Sequence, residues 1–252
     1  MTRPTARAGA DQDTTSLDPS RGTVGSHRDY IAHCIRWGWA RRILIKQLGA
    51  DSNRHLDAGC GPKAPLVVEL ATSPPIVDIP TKTYIDYWGV DLNVIRPAVR
   101  PKWARYVGEF DLVERYEELG LESFDSVSSF EVYEHLSEEL QKGYLKAVHA
   151  LLKPGAFMVF STPVFNGKQA KNHVREVTVE QCRDELEAAG FVVEARYGTF
   201  ASWTDIKRVC TDEELETYNK CREFYADDFL AAFMAPKYPD ASRNNAWILR
   251  RP

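Results

Sequence analysis

The chain reads as an α/β domain built on a mostly parallel sheet. Three observations predict this. Short apolar segments alternate with segments of helical periodicity from about residue 54 onward. Ala156–Ser161 is a continuous apolar run up to its last residue, the pattern of a central parallel strand covered on both faces. The segment His55-Leu56-Asp57-Ala58-Gly59-Cys60-Gly61-Pro62-Lys63 ends an apolar strand in an acid, with two glycines one residue apart. Glycine lets the backbone turn tightly and a ligand lie against it. A helix starting near Ala64 aims its N–H groups at the same place. This is a nucleotide-type site at the carboxyl end of a first strand.

The elements follow in order. Tyr30–Leu48 places Ile31, Cys34, Ile35, Trp37, Ala40, Ile43, Leu44 and Leu48 at helical spacing, with Arg28, Arg36, Arg41, Arg42 and Lys46 on a solvated basic face. Arg54–Ala58 is strand one and Ala64–Ala71 a short helix. Ser73–Thr83 holds three prolines and is a loop or insertion. Strand two is Tyr84–Val90, strand three Ala104–Val107 and strand four Ser123–Phe130. A helix over Glu138–Leu152 is stopped by a Lys153-Pro154-Gly155 turn, and strand five follows. Thr178-Val179-Glu180-Gln181 is a capping box whose helix runs to Ala189 and closes at Gly190. Phe191–Tyr197 is strand six. A second capping box at Thr211–Glu214 opens helical sequence that continues toward Phe233. Asn245–Arg250 is a last strand.

Size and composition bound the rest. The chain has 252 residues, 44% of them hydrophobic, enough for one sizeable core. Residues 1–25 are poor in large apolar groups and are expected to be a disordered tail. Residues 26–50 form a lid or packing helix, and 51–252 one domain with a helical insertion at about 200–240. Lys and Arg total 32 against 36 Asp and Glu, a formal charge of −4, so nothing pulls the whole molecule onto nucleic acid or membrane. The five cysteines are scattered, with no C-x-x-C pair; a zinc site or disulfide framework is not expected, no metal is assigned, and a reducing cytoplasm fits. No apolar run is long enough to cross a membrane.

The candidate chemistry lies at the strand ends. Asp57 repels a pyrophosphate and suits a cationic ligand. Gly59-Cys60-Gly61-Pro62-Lys63-Ala64 also fits the dinucleotide pattern G-x-G-x-x-A, which keeps a nicotinamide-dependent oxidoreductase open. Asp91, followed by Leu92, ends strand two and can accept both ribose hydroxyls of a nucleoside. It falls later than the ~20 residues usual in dehydrogenases, because the proline-rich segment intervenes. Glu109 and Phe110, after strand three, can read and pack against an adenine. Glu131, Tyr133, Glu134 and His135 cluster where strand four ends, and His135 can act as a base near neutral pH. His173 lies in a loop that either lines a substrate pocket or stays on the surface.

With these residues in place the chain resembles the class I S-adenosylmethionine-dependent methyltransferases over about Arg54 to Tyr197. The resemblance is carried by Leu56-Asp57-Ala58-Gly59-Cys60-Gly61, Gly89-Val90-Asp91, Gly108-Glu109, Phe124-Asp125-Ser126-Val127, Phe130-Glu131-Val132-Tyr133-Glu134-His135-Leu136, Leu152-Lys153-Pro154-Gly155 and Ser161-Thr162-Pro163. It implies a doubly wound seven-stranded sheet of order 3-2-1-4-5-7-6 with strand seven antiparallel, helices on both faces, and S-adenosylmethionine as cofactor. It places Asp57, Gly59 and Gly61 at the methionine part, Asp91 at the ribose, Glu109 and Phe110 beside adenine, and Glu131 near the sulfonium. Pro62-Lys63 and the insertion before Asp91 depart from the common pattern.

The acceptor expected is a small, planar or partly apolar molecule methylated on oxygen or nitrogen, with His135 or His173 taking its proton. Its pocket is expected between the N-terminal helix (Trp37, Trp39) and the segment from Phe200 to Tyr238, rich in aromatic residues: Trp203, Tyr218, Phe224, Tyr225, Phe229 and Phe233. A nucleic-acid acceptor is the alternative, with Arg28, Arg36, Arg41 and Arg42 on its phosphates. A non-catalytic module that only binds the cofactor is another.

Overall fold

The computed structural model describes residues 30–48, 52–72 and 84–252. The expected tail, Arg28 and the proline-rich segment lie outside the described residues. Helix α1 (Tyr30–Leu48) precedes β1 (Ser52–Ala58) and α2 (Pro65–Thr72), which has proline at its first position, where a missing N–H costs nothing. Then come β2 (Tyr84–Val90), β3 (Ala104–Val107), α3 (Leu112–Arg115), β4 (Phe124–Phe130), α4 (Glu138–Leu151), β5 (Leu152–Pro163), α5 (Val179–Ala188) and β6 (Val192–Phe200). Three helices, α6 (Trp203–Ile206), α7 (Asp212–Cys221) and α8 (Asp227–Met234), separate β6 from β7 (Asn244–Arg250).

The strands form one seven-stranded sheet in the order β3-β2-β1-β4-β5-β7-β6. Pairing is parallel except for β7, antiparallel to both β5 and β6. This is the topology that the resemblance implies. Helix-facing residues build two cores. One gathers Leu56, Phe124, Val127, Leu145, Leu151, Met158, Phe160 and Trp247, and the other Leu44, Leu66, Tyr87, Phe157 and Val159. Helix α1 packs on α2 and α8, so the two additions expected to border a pocket adjoin each other.

Four local readings need correction. The Lys153-Pro154-Gly155 turn does not separate α4 from β5 but lies inside β5. The register against β4 jumps from Phe124↔Leu152 to Ser126↔Phe157, so the extra residues bulge out, with Gly155 at φ +78°. Strand β6 runs on to Phe200 because β7 offers Asn244 as its partner. The helical sequence after Thr211 breaks into α7 and α8. The amides of Phe224 and Tyr225 both close on the Cys221 carbonyl, and the Tyr218 hydroxyl donates to the Asp227 carbonyl, 3.0 Å away, tying the start of α8 back to α7. On α1, Arg36 and Arg41 are not solvated: they are 2% and 8% exposed. Both capping boxes form as expected.

Candidate active site

The glycine loop is fixed by backbone. The Gly59 and Cys60 amides both donate to the Val90 carbonyl, at 2.9 and 3.0 Å. Gly59 sits at φ +78° and Gly61 at φ +72°, the left-handed region that glycine adopts without strain. A Cβ on Gly59 would lie 2.3 Å from Val132 Cγ2, so the turn after β4 presses directly on the loop. The Gly61 amide donates to Asp91 Oδ2 (2.8 Å), and Oδ1 accepts from the Asn93 amide and side chain. Asp91 therefore couples the loop to the end of β2. A carboxylate offers about four lone-pair sites, so capacity remains for a ligand hydroxyl. Leu92 is exposed beside it.

Beneath the loop, pairing register puts a polar row on one sheet face. His55 aligns with Tyr87 and Ser126, and Asp57 with Gly89 and Ser128. Tyr87 donates to Asp57 Oδ2 (2.6 Å) and Ser128 to Asp57 Oδ1 (2.9 Å). His55 Nε2 lies 3.0 Å from the Ser128 hydroxyl and Nδ1 lies 2.8 Å from that of Ser126. Ser128 spends its one proton on Asp57, so Nε2–H of His55 donates to Ser128 and Nδ1 accepts from Ser126. Burial holds His55 neutral, pushing it down to about 3. Burial pushes Asp57 up to about 6, against the hydrogen bonds from Tyr87 and Ser128. Burial likewise raises the Cys60 thiol, which is no ready nucleophile.

After β3, Glu109 also has positive φ, +52°, and its amide donates to the Asn93 carbonyl. A Cβ on Gly108 would meet that same carbonyl at 2.9 Å, so the turn packs tightly on the one after β2. Phe110 has its amide on the Asp91 carbonyl, while its ring is 2% exposed, in the core, under the Arg115 guanidinium.

After β4, Glu131 stands at φ +56°, an uncommon conformation for a residue with a side chain. Its surroundings hold it there. Its amide donates to the Ser161 carbonyl. Its Oε1 meets Arg36 Nη1 at 3.0 Å and accepts from Ser161, and its Oε2 accepts from Asn244 Nδ2 at 2.6 Å. One carboxylate thus joins α1, β5 and β7. Sequence reasoning missed Arg36 and Asn244 as its partners. Arg36 could have been found: it shares a helical spacing of four with the buried Ala40 and Leu44, so it falls on the buried face.

Four residues on, at His135, the chain brings both candidate histidines together. Their rings meet edge to face, 5.1 Å between centroids. His135 Nδ1 is 3.2 Å from the Asn172 carbonyl, and His173 Nδ1 is 2.6 Å from Glu176 Oε1. The loop holding His173 is strapped down by the Val174 and Arg175 amides, both on the Glu134 carbonyl. Arg175 reaches Glu185 Oε1 (2.6 Å) and Gln141, Gln141 donates to the Tyr133 carbonyl, and the Tyr133 hydroxyl donates to Glu185. His173 is therefore no freely exposed loop residue.

Comparison with known proteins agrees with this fold. A methyltransferase-domain family model matches residues 38–196. Curated proteins give no sequence match. Among solved structures, the 1,6-didemethyltoxoflavin-N1-methyltransferase of Burkholderia thailandensis, with its substrate and S-adenosylhomocysteine bound, superposes at TM-score 0.57 with 16% identity, over 100% of this chain and 93% of that one. An S-adenosylmethionine-dependent methyltransferase from Mesorhizobium loti reaches 0.54 with 17% identity, over 90% of this chain and 100% of that one. The [4+2]-cyclase SpnF reaches 0.53 with 16% identity, over 85% and 80%. The family match spans well over half the residues and falls on the sheet that carries the glycine loop, and by it this chain belongs to the methyltransferase-domain family.

Proposed function

We propose that the protein transfers the methyl group of S-adenosylmethionine to an oxygen or nitrogen of a small, planar or partly apolar acceptor. The observation that carries this reading is the histidine pair, assembled on the same sheet edge as the glycine loop and held by Asn172 and Glu176. The cofactor lies along that loop, its methionine part near Asp57, Gly59 and Gly61. Asp91 takes the ribose. Leu92 and the Glu109–Phe110 turn border the adenine, with the main chain rather than the buried Phe110 ring facing it. Glu131 lies near the sulfonium. His135 and His173 deal with the proton that the acceptor gives up. The methyl is already electrophilic, so alignment supplies much of the acceleration, on the order of 7–11 kcal/mol in favourable cases.

A small-molecule acceptor is further supported by the arginines. Arg36 and Arg41, two of four candidate phosphate contacts, are buried, and Arg36 is spent on Glu131. The Burkholderia neighbour acts on a small heterocycle. Calorimetry with S-adenosylmethionine and its demethylated product tests the cofactor. Binding is expected, and Asp91→Ala should weaken it about ten- to a hundredfold, the loss of a charge-assisted hydrogen bond. No binding of either compound at millimolar concentration would sink the reading. Acceptor binding should be nearly indifferent to salt; a steep fall with salt would point to nucleic acid instead.

A further inference from the structure

The histidine pair has a third member. Glu134, fully buried, sits between His135 and the strap that carries His173. One ligand atom from each of Glu134, His135 and His173 falls within 4.8 Å of the others. Glu134 Oε2 accepts from the Thr162 hydroxyl at 3.3 Å, and Oε1 lies 4.0 Å from His135 Nε2.

Each histidine's neighbour selects a tautomer. In the neutral ring a carbonyl only accepts, so the Asn172 contact places the proton of His135 on Nδ1. The Glu176 carboxylate does the same for His173. A histidine whose Nδ1–H is held by a carboxylate or a carbonyl is oriented as metal-ligating histidines are. Glu176 is 5% exposed, so its hold is not diluted by solvent.

We propose that Glu134, His135 and His173 bind a divalent first-row transition ion of the Zn(II) class. Two imidazoles and a carboxylate favour such ions over the oxygen-preferring Mg(II) and Ca(II). Metal–ligand bonds of about 2.0–2.2 Å set neighbouring ligand atoms roughly 3–4 Å apart, so the ion draws together groups now within 4.8 Å of one another by about 1–2 Å at most. Three protein ligands leave at least one position open, as in catalytic rather than structural zinc sites.

The role of the ion rests on the methyl-transfer reading. An acceptor hydroxyl takes the open position and becomes more acidic there. Its proton leaves to solvent water. The resulting oxyanion attacks the methyl carbon; the new O–C bond forms as the S–C bond breaks, and that bond's electron pair stays on sulfur as the neutral thioether. The histidines then act on the acceptor proton through the ion rather than by taking it themselves.

The test uses the full chain without a histidine tag, stripped by chelator and reloaded with Zn(II), with the metal measured by elemental analysis and binding by calorimetry. One ion per chain is expected. The double variant His135→Ala/His173→Ala should lose it. Glu176→Gln should weaken it about 10–100-fold, and the exposed Glu138→Gln should change nothing. Co(II) in place of Zn(II) should give visible ligand-field bands in the wild-type protein and not in the double variant. Equal zinc content in wild type and double variant, or no stoichiometric zinc in wild type, overturns the site; the wild-type result decides if the variants do not fold. Cofactor affinity measured on the same samples keeps this separate from the methyltransferase reading. Turnover that survives metal removal yet fails in His135→Ala would return the histidines to the role of plain bases.

Discussion

The glycine-loop half of the sheet edge and the histidine half are built by different means. The loop is held by main-chain hydrogen bonds to its sequence neighbour β2 and by a buried polar row directly beneath it. The histidine half is held by side chains reaching from α1, α4, α5, β5, β7 and a loop. Contacts of the first kind repeat wherever the same local pattern occurs. Those of the second kind can be changed one at a time, which suits the half that we propose for the acceptor.

The largest expected effect is on the histidine half. Glu131→Ala removes the carboxylate that pairs with a nearly buried Arg36, and losing one partner of a buried pair costs about 3–5 kcal/mol. Urea unfolding should show this loss, and Arg36→Met in the same chain should restore part of it. No recovery would mean that Glu131 matters through Ser161 and Asn244 alone.

On the loop half, Gly59→Ala places a Cβ against Val132 at a backbone angle only glycine favours. The expected loss is about 2–4 kcal/mol, seen as a lower melting temperature together with weakened cofactor binding. If Gly59→Ala leaves both unchanged, the loop is less tightly determined than the comparison holds.

The buried row gives the next effect through pH. Asp57 titrates near 6 in the folded chain and lower when unfolded, so it adds stability as the pH falls from 6 toward 4. His55, at about 3 folded and 6.5 unfolded, removes stability over the same range and on down to about 3. The two oppose each other between pH 6 and 4. In Asp57→Asn only the His55 loss remains, so stability should fall more steeply with acid than in the wild type. The rise from 3.8 to about 6 bounds the difference at about 3 kcal/mol between pH 7 and 4. Parallel curves for the two proteins would deny Asp57 its raised value.

The smallest effect is at the first turn of α5. Thr178→Ala removes the cap of α5, a cost of about 1 kcal/mol, with cofactor affinity unchanged. Loss of metal binding in this variant would instead show that α5, through Glu185 and Arg175, sets the position of His173.

The same contrast explains what could be read from the sequence. Strands β2 and β3 were predicted to their ends, because apolar runs and the Asp91 and Gly108 turns are local signals. Both helix caps are equally legible. The bulge at Gly155 was not, because Pro-Gly signals a turn and only the register against β4 turns it into a bulge. The position of His173 is not legible, since the loop that carries it is held by Gln141, 34 residues before Arg175. Asn244 lies one residue before the strand that the sequence predicts, and nothing in its neighbourhood marks it as the partner of a carboxylate 113 residues earlier.

Strand β7 runs against its neighbours, and this has a consequence for how the molecule can vary. The last residue of β6 and the first of β7, Phe200 and Asn244, are direct partners across the sheet, and the Arg243 amide donates to the Phe200 carbonyl at 2.7 Å. The whole 201–243 segment therefore leaves and re-enters the sheet through one doorway, on the edge where the parallel strands end. Such a segment is a cassette: it can be lengthened, shortened or exchanged while the strand order, the glycine loop and the buried polar row stay as they are.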